Sequence, residues 1–141
     1  MKRYIYLIIC LVTCVCLLVS CSTQKLPCKP ADAPMAVTIN IIGTDKTQIL
    51  PQTEVGIFEG NTVLEVLQYV IKENDIQLEY SGLGKTAYIK GIDNLYEFDY
   101  GPASGWMYAI NDADNKPMVS CGAYQLKDSD QITWIYVTEA R

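Results

Sequence analysis

The spacing of apolar residues divides the chain into a leader, a spacer and one folded unit. From Tyr4 to Val19 the only polar residue is Thr13, and that run is short of the roughly 20 residues a membrane-spanning helix needs. Residues 22–34, STQKLPCKPADAP, show no period. Val37, Ile39 and Ile41 then alternate with Ala36, Thr38 and Asn40, the period of two that marks a half-buried strand over 35–42. A turn over 43–46 leads to a less regular strand within 47–58, expected to break at Pro51, which has no N–H for a ladder. At Thr62 the period changes. Val63, Leu64, Leu67, Val70 and Ile71 recur at helical spacing, and Thr62 with Glu65 fits a capping box, each side chain satisfying a backbone N–H that the helix start leaves orphaned. This helix should end near Asn74, with Glu65, Gln68, Lys72 and Glu73 toward water. Strands follow over 88–92 and 106–110, separated by a tight loop over 99–105. A hairpin turn over 111–115 and a short piece over 123–126 precede the last strand, 131–137, in which Ile132, Trp134 and Tyr136 alternate with Thr133 and Ile135.

Two strands, a helix and further strands are the order of an α+β, β-grasp-like fold. The expected closure pairs the first and last strands side by side in a mixed sheet, with one main helix across one face. The domain should run over 35–139, with 21–34 as its tether. About 105 residues suffice for one modest core.

The leader carries chemistry of its own. Lys2 and Arg3 precede the apolar run, which ends in Leu18-Val19-Ser20-Cys21. This is the layout of a secretory signal peptide over 1–20. Its end resembles the lipobox of bacterial lipoproteins, where cleavage leaves a lipidated cysteine, here Cys21, first in the mature chain. The expected location is the outer face of a bacterial cell membrane, with the lipid as anchor.

Removing residues 1–20 leaves nine basic and sixteen acidic side chains, a net charge of −7. Nucleic acid needs a Lys/Arg patch and is excluded as a partner class. The chain has no histidine, so no Ser-His-Asp triad, Cys-His dyad or histidine zinc site exists. Ser81-Gly82-Leu83-Gly84-Lys85-Thr86 looks like the end of a phosphate loop, but Glu79 stands where its first glycine belongs, leaving a flexible Gly-rich loop. Asp112-Ala113-Asp114-Asn115 begins like a calcium loop, yet Pro117 and Ala123 replace its glycine and glutamate. Asp93, Glu97 and Asp99 lack a nucleophile or base. The expectation is no enzyme, no cofactor and no resident metal.

After cleavage Cys28 and Cys121 are an even pair in an oxidising compartment, and a disulfide is one reading. A buried Cys121 with a free Cys28 is the other.

Four segments in order, Thr62–Leu67, Tyr88–Asp93, Gly105–Asn111 and Gly122–Tyr136, resemble the transcobalamin-like C-terminal domain family. The resemblance covers about residues 36–138. It implies a β-grasp domain related to soluble-ligand-binding modules, with a corrinoid such as cobalamin as ligand and no cofactor. In the animal vitamin carriers the matching domain closes over one face of cobalamin, and a helical barrel holds the other. No barrel is present here, so at most half a site is. The resemblance also implies a membrane transporter component as companion in vitamin uptake. It places the ligand at Tyr96, Tyr100, Gly101, Gly105, Trp106, Tyr108 and Tyr124, where flat rings suit an apolar ring face and glycine amides suit side-chain amides. The other reading of Trp106 and Tyr108 is core, as expected for Trp134. Two functions are therefore carried forward: an anchored domain binding a small soluble ligand, and a cell-surface protein-interaction or adhesion module.

Overall fold

The structure is a computed structural model, and it describes residues 25–138. The expected signal peptide, the lipidated Cys21, residues 22–24 of the tether and residue 139 of the domain lie outside the described residues. In chain order the elements are β1 (Met35–Ile42), β2 (Gln48–Ile57), α1 (Val63–Glu73), β3 (Leu78–Ser81), β4 (Tyr88–Ile92), β5 (Leu95–Tyr96), β6 (Gly105–Ile110) and β7 (Gln131–Val137).

Four strands make a mixed sheet in the order β2-β1-β7-β6. The first and last strands pair in parallel, with Ile39 opposite Ile132 and Ile41 opposite Trp134. The outer pairs, β1 with β2 and β6 with β7, are antiparallel. One face carries Val37, Ile39, Ile41, Ile132, Trp134, Tyr136, Trp106, Tyr108 and Ile110, all buried in one core with Val63, Leu64, Val66, Leu67, Val70 and Ile71 of α1. The fold is thus α+β, β-grasp-like, with the one main helix packed on the sheet. At its start Thr62 Oγ1 accepts from the Glu65 N–H and Glu65 Oε2 accepts from the Thr62 N–H, the expected capping box.

Four features differ from the sequence expectation. First, β2 does not break at Pro51. It bulges: Ile39 faces Thr53 and Ile41 faces Leu50, so the extra residue is absorbed in the ladder. As β2 is an edge strand, proline's missing N–H costs no bond there. Second, a small antiparallel sheet, β3-β4-β5, stands beside the main one. The ring of Tyr96 on β5 lies across Gly91 of β4, where a Cβ would come within 2.5 Å of it. Third, the Gly-rich segment 81–86 is pinned. Thr86 Oγ1 accepts from the Leu83 N–H at 3.1 Å, and a Cβ on Gly122 would collide with the Gly84 carbonyl.

Fourth, the second half of the expected tether is docked on the domain. Cys28 N–H donates to Gly56 O at 3.0 Å and Gly56 N–H to Cys28 O at 2.9 Å. Asn61, with no exposed surface, donates through Nδ2 to Lys25 O at 2.8 Å. Gly56 makes room, since a Cβ would stand 2.7 Å from Lys29 O and 2.8 Å from Ala33 Cβ. A short 3-10 turn, Pro30–Asp32, completes this strap along the edge of β2.

The Cys28–Cys121 disulfide is not formed: both thiols are free. Their backbones hold them on different elements. Cys28 is fixed to the β2 edge by its bridge to Gly56, while Cys121 accepts from Leu64 N–H and lines a groove between β4 and β6.

Candidate functional site

The segment between β5 and β6 is a loop tied by its own backbone. Phe98 N–H donates to Ser104 O at 3.1 Å, Gly101 N–H to Phe98 O at 3.1 Å, and Ser104 N–H to Gly101 O at 3.0 Å. Asp99 Oδ2 accepts from Tyr96 N–H at 2.7 Å. Ser104 is buried; its hydroxyl accepts from Tyr100 N–H at 3.1 Å and donates to Gly101 O at 2.9 Å. From below, the Tyr136 hydroxyl donates to Tyr96 O at 2.6 Å and lies 3.0 Å from Ser104 Oγ. Two residues take left-handed backbone: Gly101 (φ 112°), which suits glycine, and Phe98 (φ 70°), which does not. Such a conformation costs on the order of 1–3 kcal/mol and persists where its surroundings over-determine it. The result is a hydrogen-bonded loop that carries Phe98 and Tyr100, 60% and 56% exposed, with the Tyr100 ring edge-on to Tyr136 at 6.0 Å.

Beside the loop a groove of about 160 Å³ opens between β4 and β6, lined by Tyr88, Ile89, Trp106, Met107, Tyr108 and Val119 among others. Tyr88, Met107 and Val119 are exposed. The Tyr88 hydroxyl donates to Glu97 Oε2 at 2.7 Å, joining groove to loop. That bond, then burial, pushes the Tyr88 phenol up to about 12. The groove is smaller than the roughly 300–1,000 Å³ typical of pockets that enclose a ligand.

Trp106 and Tyr108, expected as ligand contacts, are core residues that form the groove floor. Trp106 Nε1 donates to Leu95 O at 2.8 Å, and its ring meets Tyr136 edge-on at 5.3 Å. The Tyr108 hydroxyl donates to Val119 O at 2.8 Å, and burial pushes it up to about 12. Tyr124 is half-buried and packs edge-on against Tyr108 at 6.2 Å. Tyr96 is half-buried, its hydroxyl accepting from Gln77 Nε2 at 3.2 Å. Gly105 opens β6 opposite Val137, where a Cβ would meet only Glu97 Cβ, at 3.8 Å. Of the seven residues, Tyr100 and Gly101 belong to the presented loop, and the others support it or the groove.

Sequence reading missed Phe98, Tyr88, Met107 and Val119. Met107 had a visible signal, as it alternates out of phase with buried Trp106 and Tyr108. Phe98 sits between Tyr96 and Tyr100 in the stretch already singled out. Tyr88 and Val119 come together only in the fold.

The buried Cys121 thiol is pushed up by desolvation and is not a thiolate nucleophile. Among the described residues no group of three or more Cys, Asp or Glu side chains is arranged to hold a metal ion, and no helix is long and apolar enough to cross a membrane.

The model of a family described as "Domain of unknown function (DUF4430)" matches residues 60–138, more than half of the chain. The chain belongs to this family. The DUF4430 match takes in α1, the loop, the groove and β7, and leaves β1 and β2 outside it. No curated protein matches the DUF4430 chain. Among solved structures, a protein from Ruminococcus gnavus ATCC 29149, provisionally described as metal binding, is 19% identical with a TM-score of 0.55. The alignment covers 75% of this chain and 99% of that one. Haptocorrin in complex with Cbi is 14% identical with a TM-score of 0.51, over 72% of this chain and 25% of haptocorrin. The DUF4430 chain thus spans about a quarter of haptocorrin's length. Both likenesses are of fold, and both neighbours are described as binding proteins.

Proposed function

We propose that this DUF4430 protein is a lipoprotein, anchored through Cys21 on the outer face of the membrane, that binds a small soluble ligand on the Phe98–Tyr100 loop and the adjoining groove. A corrinoid is the ligand class the resemblance favours. The observation that carries the reading is the loop: a strained, hydrogen-bonded mount holding two aromatic rings, 60% and 56% exposed, out to solvent. Rings this exposed bury little apolar area in the fold itself, while a ligand with a flat apolar face covers them. The shallow groove leaves the ligand's other face open, so stand-alone affinity is weak and a second component, such as a membrane transporter, completes the site.

The test is an equilibrium titration of the chain from residue 22 onward with cobalamin and with cobinamide, read by tryptophan quenching, since Trp106 floors the groove. Saturable quenching that Phe98→Ala and Tyr100→Ala each weaken supports the proposal. No binding up to millimolar ligand sinks stand-alone binding and turns attention to a protein partner for the same rings.

A further inference from the structure

The strap changes what an anchor at Cys21 does. Had residues 22–34 been free, the fourteen steps from Cys21 to Met35 would let the domain roam as far as about 50 Å, at roughly 3.3–3.6 Å per residue. Lys25 is instead already held on the domain. Its carbonyl is held by buried Asn61 at 2.8 Å and its ammonium sits 4.9 Å above the Phe58 ring. Pro27 is buried and Cys28 is bridged to Gly56. Four steps separate Lys25 from Cys21, a reach of about 14 Å at most.

At that point the surface offers Leu26, 69% exposed, with the exposed Lys25 and Lys29 on either side. An apolar side chain flanked by ammonium groups suits the headgroup layer, where the leucine enters the acyl boundary and the lysines meet lipid phosphates. The net charge of the mature chain is −7, so electrostatics alone would not bring the domain down. The acyl chains do that, and the short leash selects the face. The strap lies on β2, and the candidate site adjoins β6 at the other end of the order β2-β1-β7-β6. Three strand spacings, about 14 Å, separate those edges.

We infer that the strap seats the domain directly on the lipid bilayer, with Leu26 and its two lysines as the contact surface, and turns the Phe98–Tyr100 loop away from the headgroups. The inference rests on the reading that Cys21 is lipidated. A partner that completes the site must then project above the membrane to reach it.

The experiment uses the full lipidated chain in vesicles of three parts zwitterionic to one part anionic phospholipid. A click-reactive amino acid carrying a dye replaces Leu26 in one sample and Tyr100 in another, and nitroxide headgroup lipids quench the dye. Quenching several-fold stronger at 26 than at 100 is expected. Inserting ten Gly/Ser residues between Gln24 and Lys25, which leaves the fold untouched, should bring the two values together. Equal quenching before insertion, or an unchanged ratio after it, overturns the seating. Intact-mass measurement separates this from the anchor reading. If the mass shows no lipid, a maleimide lipid coupled at Cys21 in a Cys28→Ser, Cys121→Ser chain restores the anchor, and the same two outcomes decide.

Discussion

Replacing Trp106 with alanine separates two roles that sequence alone leaves joined, ligand contact and core. The indole is 7% exposed, meets Tyr136 at 5.3 Å between ring centroids, and donates its N–H to the Leu95 carbonyl at 2.8 Å. Truncating a buried tryptophan costs about 3–5 kcal/mol in transfer and cavity terms. The orphaned Leu95 carbonyl lies at the β5 end of the same wall, so the upper part of that range is expected. Domains of this size hold about 5–15 kcal/mol in all. At roughly 4 °C per kcal/mol, the melting temperature should fall by about 12–20 °C. Urea unfolding followed by far-UV circular dichroism, with Tyr100→Ala alongside, reads the difference. Tyr100 is over half exposed and its ring meets only the edge of Tyr136, at 6.0 Å between centroids, so its loss should cost well under the Trp106 value. A Trp106→Ala loss below about 1 kcal/mol would refute the core assignment and return the residue to the ligand.

Other outcomes follow from single contacts. Gly122→Ala should destabilise by more than the usual surface substitution, because the new Cβ meets the Gly84 carbonyl; equal urea midpoints for variant and parent would show that segment 82–86 is free to move. Trp134→Phe should cost less than Trp106→Phe, since the buried Trp134 Nε1 has no hydrogen-bond partner to lose, and the reverse order in thermal melts contradicts this. Tyr88 and Tyr108 are each raised from 10.0 to about 12, so the folded state favours their protonated forms. Their contribution is complete below pH 10 and lost as pH rises through about 12. Urea midpoints should fall across that window, and a Tyr88→Phe, Tyr108→Phe chain should fall less; parallel curves argue against both shifts.

The elements legible in the sequence are those whose burial is one-sided. In β1 and β7 every second residue enters the core, and α1 carries both its apolar stripe and its cap within residues 62–73. That β1 and β7 lie side by side followed from element order, and the structure adds that they run parallel. The small sheet was not legible, because β3 buries none of its residues fully and the packing of Tyr96 on Gly91 shows only in the fold. The strap joins Lys25 to Asn61 and Cys28 to Gly56, pairs with no local period. Site residues divided the same way. Tyr100 came in with the family resemblance, whereas Phe98 becomes notable only through its backbone angle and exposure. Trp106 and Tyr108 look alike in sequence whether they face ligand or core, and strand β6 turns both inward.

The central claim is that the aromatic loop and the β4–β6 groove together form one side of a ligand site. Amide chemical-shift mapping of the isotope-labelled chain from residue 22 onward, with and without saturating cobinamide, tests it most directly. The account predicts perturbations clustered at residues 97–104 and around Tyr88, Met107 and Val119, with β1 and β2 unmoved. Perturbations centred on the strap or on β2, with the loop silent, would contradict it.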